Sequence, residues 1–238
     1  MASIALIGPG RHGTAIAQLF ASHGVDVHLY HHREPKAQTA AAQVRAVAKN
    51  AEVRIAHDLA AAVEGQELVV LTTLWDKPQR EVIAQLGDKL TGKVLLDVSN
   101  PLDVTPAGII PRPPVEGSAG QFLASILPAG VGHAKAFSNL ATAFINESAD
   151  MEPRAVLPFV ADSADTERVV RDYLELTGWQ PWLVGGISES KHVEIGGKYN
   201  AVHGRYGRSR LDAKEMLEYS GPEDSLTGVE SGRTGRHG

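Results

Sequence analysis

The six residues Gly8-Pro9-Gly10-Arg11-His12-Gly13 follow an apolar run of strand length, Ser3 to Ile7, and open an amphipathic segment, Gly13 to His23. No other feature of the chain constrains its fold as tightly. A G-x-G-x-x-G between a strand and a helix is the turn of a dinucleotide-binding βαβ unit. Each glycine has its own steric reason. Gly8 permits the tight turn, Gly10 lets a pyrophosphate approach the backbone, and Gly13 lets the helix pack on the sheet. The pyrophosphate then meets the free N–H groups of the helix N-terminus, with Pro9, Arg11 and His12 around it. Ala15, Ile16, Leu19 and Phe20 recur at helical spacing and predict the buried face of that helix.

The same alternation continues along the chain. Strands are expected at Val25–Tyr30, 53–56, 67–73, 94–98 and 131–137, and helices at 36–49, 59–64, 78–90 and 121–127. A further strand–helix–strand unit is expected over 155–161, 166–177 and 181–184. This order predicts an α/β fold, a Rossmann doubly wound parallel sheet with right-handed crossovers. Composition agrees, since 43% of residues are hydrophobic but only 5% are aromatic. Aliphatic strands suit a parallel sheet covered by helices on both faces. Residues 1–137 read as an NADP(H)-binding domain and 138–197 as a small C-terminal α/β unit for the substrate or acceptor. Residues 198–238, rich in Gly, Arg, Glu and Ser, read as an extended polar tail with a short helix near 211–219. A tail this polar needs a surface to pack on. A second subunit is the expected one, through Tyr199, Tyr206, Leu211, Met216 and Leu217, which implies a homodimer. Residues 100–120, rich in Pro and Gly, read as a long loop.

Several functions are excluded. A net charge of −5 and an isoelectric point near 6.1 argue against a nucleic-acid surface. The absence of cysteine excludes disulfides, thiol catalysis and Cys-bound metal. The ten histidines are scattered, so no metal site is expected. The N-terminal apolar run stops at Gly8, and no stretch approaches the roughly 18 apolar residues of a membrane span. A cytoplasmic protein without membrane partners is the expectation.

The second strand selects the cofactor. NAD sites place Asp or Glu at its end, on the ribose hydroxyls. Here the strand ends Tyr30-His31-His32-Arg33-Glu34-Pro35-Lys36. A guanidinium at Arg33 clamps a phosphate bidentately, Lys36 adds charge and His32 lies beside them, which predicts NADP(H). Ligands sit beyond the carboxyl ends of the strands in such sheets. That edge carries Thr72 and Thr73, Ser99-Asn100-Pro101, and Lys135-Ala136-Phe137-Ser138-Asn139. Thr72, Thr73, Ser99 and Asn100 are candidates for the ribose and nicotinamide. If the reaction needs a protein acid, His133 and Lys135 are the candidates, on a strand running to that edge.

The stretches Ile7 to Gly13, Asp97-Val98-Ser99-Asn100-Pro101-Leu102 and Lys135-Ala136-Phe137 together resemble the NADPH-dependent reductases of the deazaflavin coenzyme F420. The likeness covers about Ser3 to Glu194. It implies hydride transfer between NADPH and coenzyme F420, a flavin or a similar small-molecule acceptor. It also implies a phosphate clamp at Arg33 and Lys36, with Thr72 and Asn100 beside the nicotinamide. The family usually reads Lys-Ala-Phe-Asn-Thr where this chain has Ser138 and Asn139. Two alternatives are an NADPH-dependent imine or carbonyl reductase, and a non-catalytic NADP(H)-binding redox sensor.

Overall fold

The computed structural model describes residues 2–200 and 210–221. Among the described residues, ten strands and eight α-helices follow one another in chain order, and eight of the strands form one sheet. The first half alternates strictly: β1 (Ser3–Ile7), α1 (Arg11–Ser22), β2 (Asp26–Tyr30), α2 (Glu34–Arg45), β3 (Val53–Ile55), α3 (Leu59–Val63), β4 (Leu68–Leu71), α4 (Lys77–Leu86) and β5 (Val94–Asp97). A small hairpin follows, β6 (Leu102–Thr105) and β7 (Gly108–Pro111), then α5 (Ala119–Ile126), β8 (Gly132–Lys135) and α6 (Thr142–Glu147). The chain continues with β9 (Val156–Ala161), α7 (Ala164–Glu175), β10 (Gln180–Gly185), a 3-10 turn over Ile187–Val193 and α8 (Ala213–Ser220).

The sheet order is β10-β9-β8-β5-β4-β1-β2-β3. From β3 to β8 all neighbours are parallel, the Rossmann order with its switch point between β1 and β4. Burial follows from that arrangement. Every residue of β4, β5 and β9 is buried, as strands covered on both faces must be. One core, with Ile16, Leu19 and Phe20 of α1, fills the face under α1, α2, α6 and α7. The opposite face packs Val69, Leu71 and Leu95 against α3, α4 and α5.

Four expectations are corrected. First, β8 and β9 pair antiparallel, so the sheet is not parallel throughout; β9 and β10 are parallel to each other and join the same sheet. A fully buried strand reads alike in either direction, and only the path of the connection sets its polarity. Second, the supposed long loop 100–120 contains the β6–β7 hairpin, paired from Leu102↔Pro111 to Thr105↔Gly108. Third, the helix expected to reach Leu90 ends at Leu86, where Gly87 at φ 48° turns the chain into a 3-10 turn. Fourth, the described part of the tail, 198–200 and 210–221, packs on its own chain. Leu211 and Met216, with Tyr199 ahead of them, are buried with Val156, Val160 and Val193 in a third core cluster. Asp212 and Glu215 form a capping box that starts α8. These three side chains are therefore not available to a second subunit, whereas Leu217 is exposed; Tyr206 lies outside the described residues. Among the described residues no helix is long and apolar enough to cross a membrane.

Candidate functional site

The glycine loop has the geometry its spacing requires. Gly8 stands at φ +81°, and a Cβ there would press within 2.8 Å of the Thr73 methyl. A Cβ on Gly13 would fall 2.3 Å from Thr72 Oγ1, so α1 can approach the end of β4 only because residue 13 has no side chain. Gly10 differs, for its Cβ would meet nothing closer than the Gly8 carbonyl at 4.0 Å. The space over Gly10 is open, at the N-terminus of a 12-residue helix with no side-chain cap and no acidic residue in its first turn. Unpaired N–H groups and the helix dipole make that end attractive to an anion.

Around this loop the structure gathers residues from β1, β2, β4, β5 and β8. Thr72 Oγ1 donates to the Ile7 carbonyl at 2.9 Å, tying β4 to β1. The Thr73 hydroxyl is buried and has no hydrogen-bond partner among the described residues. His12 bridges to the loop beyond β8, with Nε2 3.2 Å from the Phe137 carbonyl and Nδ1 3.1 Å from Thr142 Oγ1. The carbonyl can only accept, so Nε2 carries the hydrogen and Nδ1 accepts from the threonine hydroxyl. Burial, with Arg11 nearby, lowers the pKa of His12 and keeps this tautomer neutral. Phe137 itself sits at φ 63°, a conformation costly for a bulky residue and imposed by the packing around it.

Beside the loop, α1, α2 and α6 enclose a cleft of about 650 Å³. Gly10, Arg11, Lys36 and Thr142 line it. Arg33 precedes α2, exposed, and bonds both of the histidines before it. Its backbone N–H donates to His31 Nδ1 at 3.0 Å and its Nε to His32 Nε2 at 3.2 Å. In this arrangement both imidazoles accept from the arginine, and they stack on one another at 4.5 Å. Partial burial and the charges of His32, Lys36 and Arg33 lower the pKa of His31.

At the other end of the edge the polar residues are engaged within the fold. Asn100 donates to the Ser138 carbonyl at 2.9 Å and accepts from the Ile195 N–H at 2.7 Å. Ser138 Oγ donates to the Val193 carbonyl and Asn139 Nδ2 to the Tyr199 carbonyl. Ser99 is buried, its N–H on Asp97 Oδ1 and its hydroxyl accepting from Gln79. Pro101 is half-buried where the chain leaves toward the hairpin. Lys135 is wholly buried, its Nζ 2.7 Å from Asp97 Oδ2 and also on the Ser99 carbonyl. His133 is 2% exposed, one turn of the pleat below Lys135 on the same strand face. Burial pushes its pKa down to about 4, with Lys135 adding to the effect and Asp97 and Asp162 opposing it.

Sequence reasoning missed Glu194, 3.6 Å from the Lys135 ammonium and buried. It also missed Gln79, which donates to Asp97 Oδ1 at 3.0 Å. Lys135 next to an acidic strand end was the available signal for Asp97. Nothing local marks Glu194 as different from any exposed glutamate.

Strand order, switch point and glycine loop together define a Rossmann-type dinucleotide-binding fold. Residues 3–99 match the N-terminal domain family of NAD-dependent glycerol-3-phosphate dehydrogenases. No curated protein matches the chain in sequence. Among solved structures, the hypothetical protein SMa0349 of Sinorhizobium meliloti is similar over 83% of this chain and 92% of its own, at 23% identity and a TM-score of 0.69. A candidate F420-dependent NADP reductase of Arthrobacter sp. FB24 is similar over 82% of this chain and 90% of its own, at 22% identity and a TM-score of 0.62. A reductive aminase from Aspergillus terreus, solved with NADPH, is similar over 82% of this chain but only 58% of its own, at 18% identity and a TM-score of 0.58.

Proposed function

We propose that the chain is an NADP(H)-dependent oxidoreductase that passes a hydride between NADPH and a deazaflavin such as coenzyme F420, or a flavin. The open space over Gly10, at an uncapped helix N-terminus in a cleft lined by Arg11 and Lys36, is the observation that carries this reading. The pyrophosphate occupies that space. Arg33 and Lys36, at the start of α2, are there for the adenosine 2′-phosphate, where an NAD site would place a carboxylate. The Thr73 hydroxyl, buried without a partner, is a ready donor to the cofactor ribose. The nicotinamide supplies the hydride chemistry, and the protein orients its ring and excludes water.

The acceptor reading rests on the two acid candidates at this edge. Reduction of an imine or carbonyl calls for a protein acid at the reacting atom. His133 is buried and neutral, and the Lys135 ammonium is engaged by Asp97 and the Ser99 carbonyl. We assign both a structural role. A deazaflavin or flavin accepts a hydride with its proton drawn from solvent, so this site suits it better. The likeness spans 90% of the candidate F420-dependent reductase against 58% of the aminase, which supports the same choice.

Fluorescence titration with NADPH and NADH tests the cofactor, and stopped-flow mixing with deazaflavin, flavin and imine acceptors tests the reaction. NADPH should bind at least tenfold tighter, which is about 1.4 kcal/mol. Arg33→Ala should remove most of that preference while NADH affinity stays put. Equal loss for both cofactors would refute the phosphate clamp.

A further inference from the structure

The charge cluster at the ends of β5 and β8 is assembled from four separate stretches of chain. Asp97 ends β5, Lys135 ends β8, Ala119 and Gly120 open α5, and Glu194 follows the 3-10 turn Ile187–Val193. Lys135 Nζ stands between the two carboxylates, 2.7 Å from Asp97 Oδ2 and 3.6 Å from Glu194 Oε1. Glu194 completes its bonding with the backbone N–H groups of Gly120 at 3.0 Å and Ala119 at 3.2 Å. The fit is close, since a Cβ on Gly120 would stand 2.2 Å from Ser190 Oγ and 3.3 Å from Lys135 Cδ. A buried carboxylate is costly unless charge and hydrogen bonds compensate it; burial holds the Glu194 pKa above its ordinary value, with Lys135 and the two N–H groups opposing that shift and Asp97 adding to it.

What this carboxylate holds is the segment 193–195. The Val193 carbonyl accepts from Ser138 Oγ at 2.7 Å, and the Ile195 N–H donates to Asn100 Oδ1 at 2.7 Å. With Glu194 between them, three consecutive residues are tied to the loops that end β5 and β8. Ile195 keeps 46% of its surface exposed beside Asn100.

We propose that Glu194 is a positioning residue: it fastens the strap 193–195 across the ends of β5 and β8, where the strap walls the nicotinamide half of the cofactor. This rests on the cofactor reading given above. The direction follows from strand order. With the pyrophosphate at the β1 loop and the 2′-phosphate at the end of β2, the rest of the dinucleotide extends the other way, past β4 to β5 and β8. A wall fixed beforehand by an ion pair and three hydrogen-bonded tethers holds the ring without reorganising when the cofactor arrives. If Glu194 only braced α5, loosening it would leave the nicotinamide untouched.

The test uses the full chain as wild type, Glu194→Ala, Glu194→Gln and Ser138→Ala. The last cuts the Val193 tether without stranding a buried charge, so it decides the matter even if the glutamate variants do not fold. Three quantities are read: amide exchange over 193–197, the fluorescence enhancement of bound NADPH, and affinity for 2′,5′-ADP, which carries only the adenosine half. In Glu194→Ala exchange should rise at least tenfold and the enhancement fall by half or more, with 2′,5′-ADP affinity within twofold of wild type. Glu194→Gln keeps one acceptor for α5 and should recover part of both losses. Ser138→Ala should move both readings in the same direction. Unchanged exchange in a folded Glu194→Ala overturns the proposal. So does a loosened strap with unaltered nicotinamide emission. A wild type that binds neither NADPH nor 2′,5′-ADP defeats the cofactor reading itself, leaving the strap nothing to wall.

Discussion

Acidification should expose what His133 does. Its ring is 2% exposed, and neither ring nitrogen has a hydrogen-bond partner among the described residues. Burial lowers its pKa from 6.5 to about 4. In the unfolded chain it titrates near 6.5, so between about 6.5 and about 4 the unfolded state binds the proton and the folded state does not. The depressed pKa therefore contributes stability that is complete above 6.5, declines as pH falls and is gone below about 4. At about 1.4 kcal/mol per pKa unit, this gap amounts to about 3 kcal/mol. A domain of ordinary stability, about 5–15 kcal/mol, would feel that loss strongly. Urea unfolding of the wild type and His133→Leu at pH 7.5, 6.5, 5.5 and 4.5 measures it. Groups that do not interact with His133 titrate alike in both proteins and cancel in the difference. The stability gap between the two should move by about 2.5 kcal/mol in favour of the variant across that range. Parallel curves would refute the burial argument. Loss of NADPH-dependent turnover in a folded His133→Leu would show instead that the imidazole takes part in the chemistry.

Two glycines should fail differently. Gly10→Val fills open space, so circular dichroism and melting should stay near wild type while NADPH titration shows no binding. Gly13→Ala puts its methyl 2.3 Å from Thr72 Oγ1 and should lower the melting temperature as well. In the third core cluster, Met216→Ala should cost about 2–5 kcal/mol in urea unfolding, because its side chain is 1% exposed. A loss under about 1 kcal/mol would mean that α8 is not docked on β9 in solution.

The dinucleotide turn was readable because its requirements are local. Gly8, Gly10 and Gly13 answer to a backbone dihedral, a free approach and a helix–strand contact, all set within a few residues of sequence. The buried strands were readable for a related reason, since an apolar run such as Leu68–Leu71 has nowhere to go but the interior. Their direction was not: Val156–Ala161 is buried from end to end and would look the same running either way. The hairpin was hidden because β6 and β7 leave Val104, Ile109 and Ile110 exposed, so no burial pattern announced it.

By itself the sequence determined the βαβ turn, the aliphatic strands that follow it and the basic end of β2, because each needs only its neighbours in the chain. Only the tertiary structure decided that Lys135 is enclosed by Asp97 and Glu194, that Leu211 and Met216 dock on β9, and that Asn100 and Ser138 tie down 193–195. Whether a charged or polar side chain meets water or a partner depends on which distant segment folds against it, and no pattern of adjacent residues carries that information.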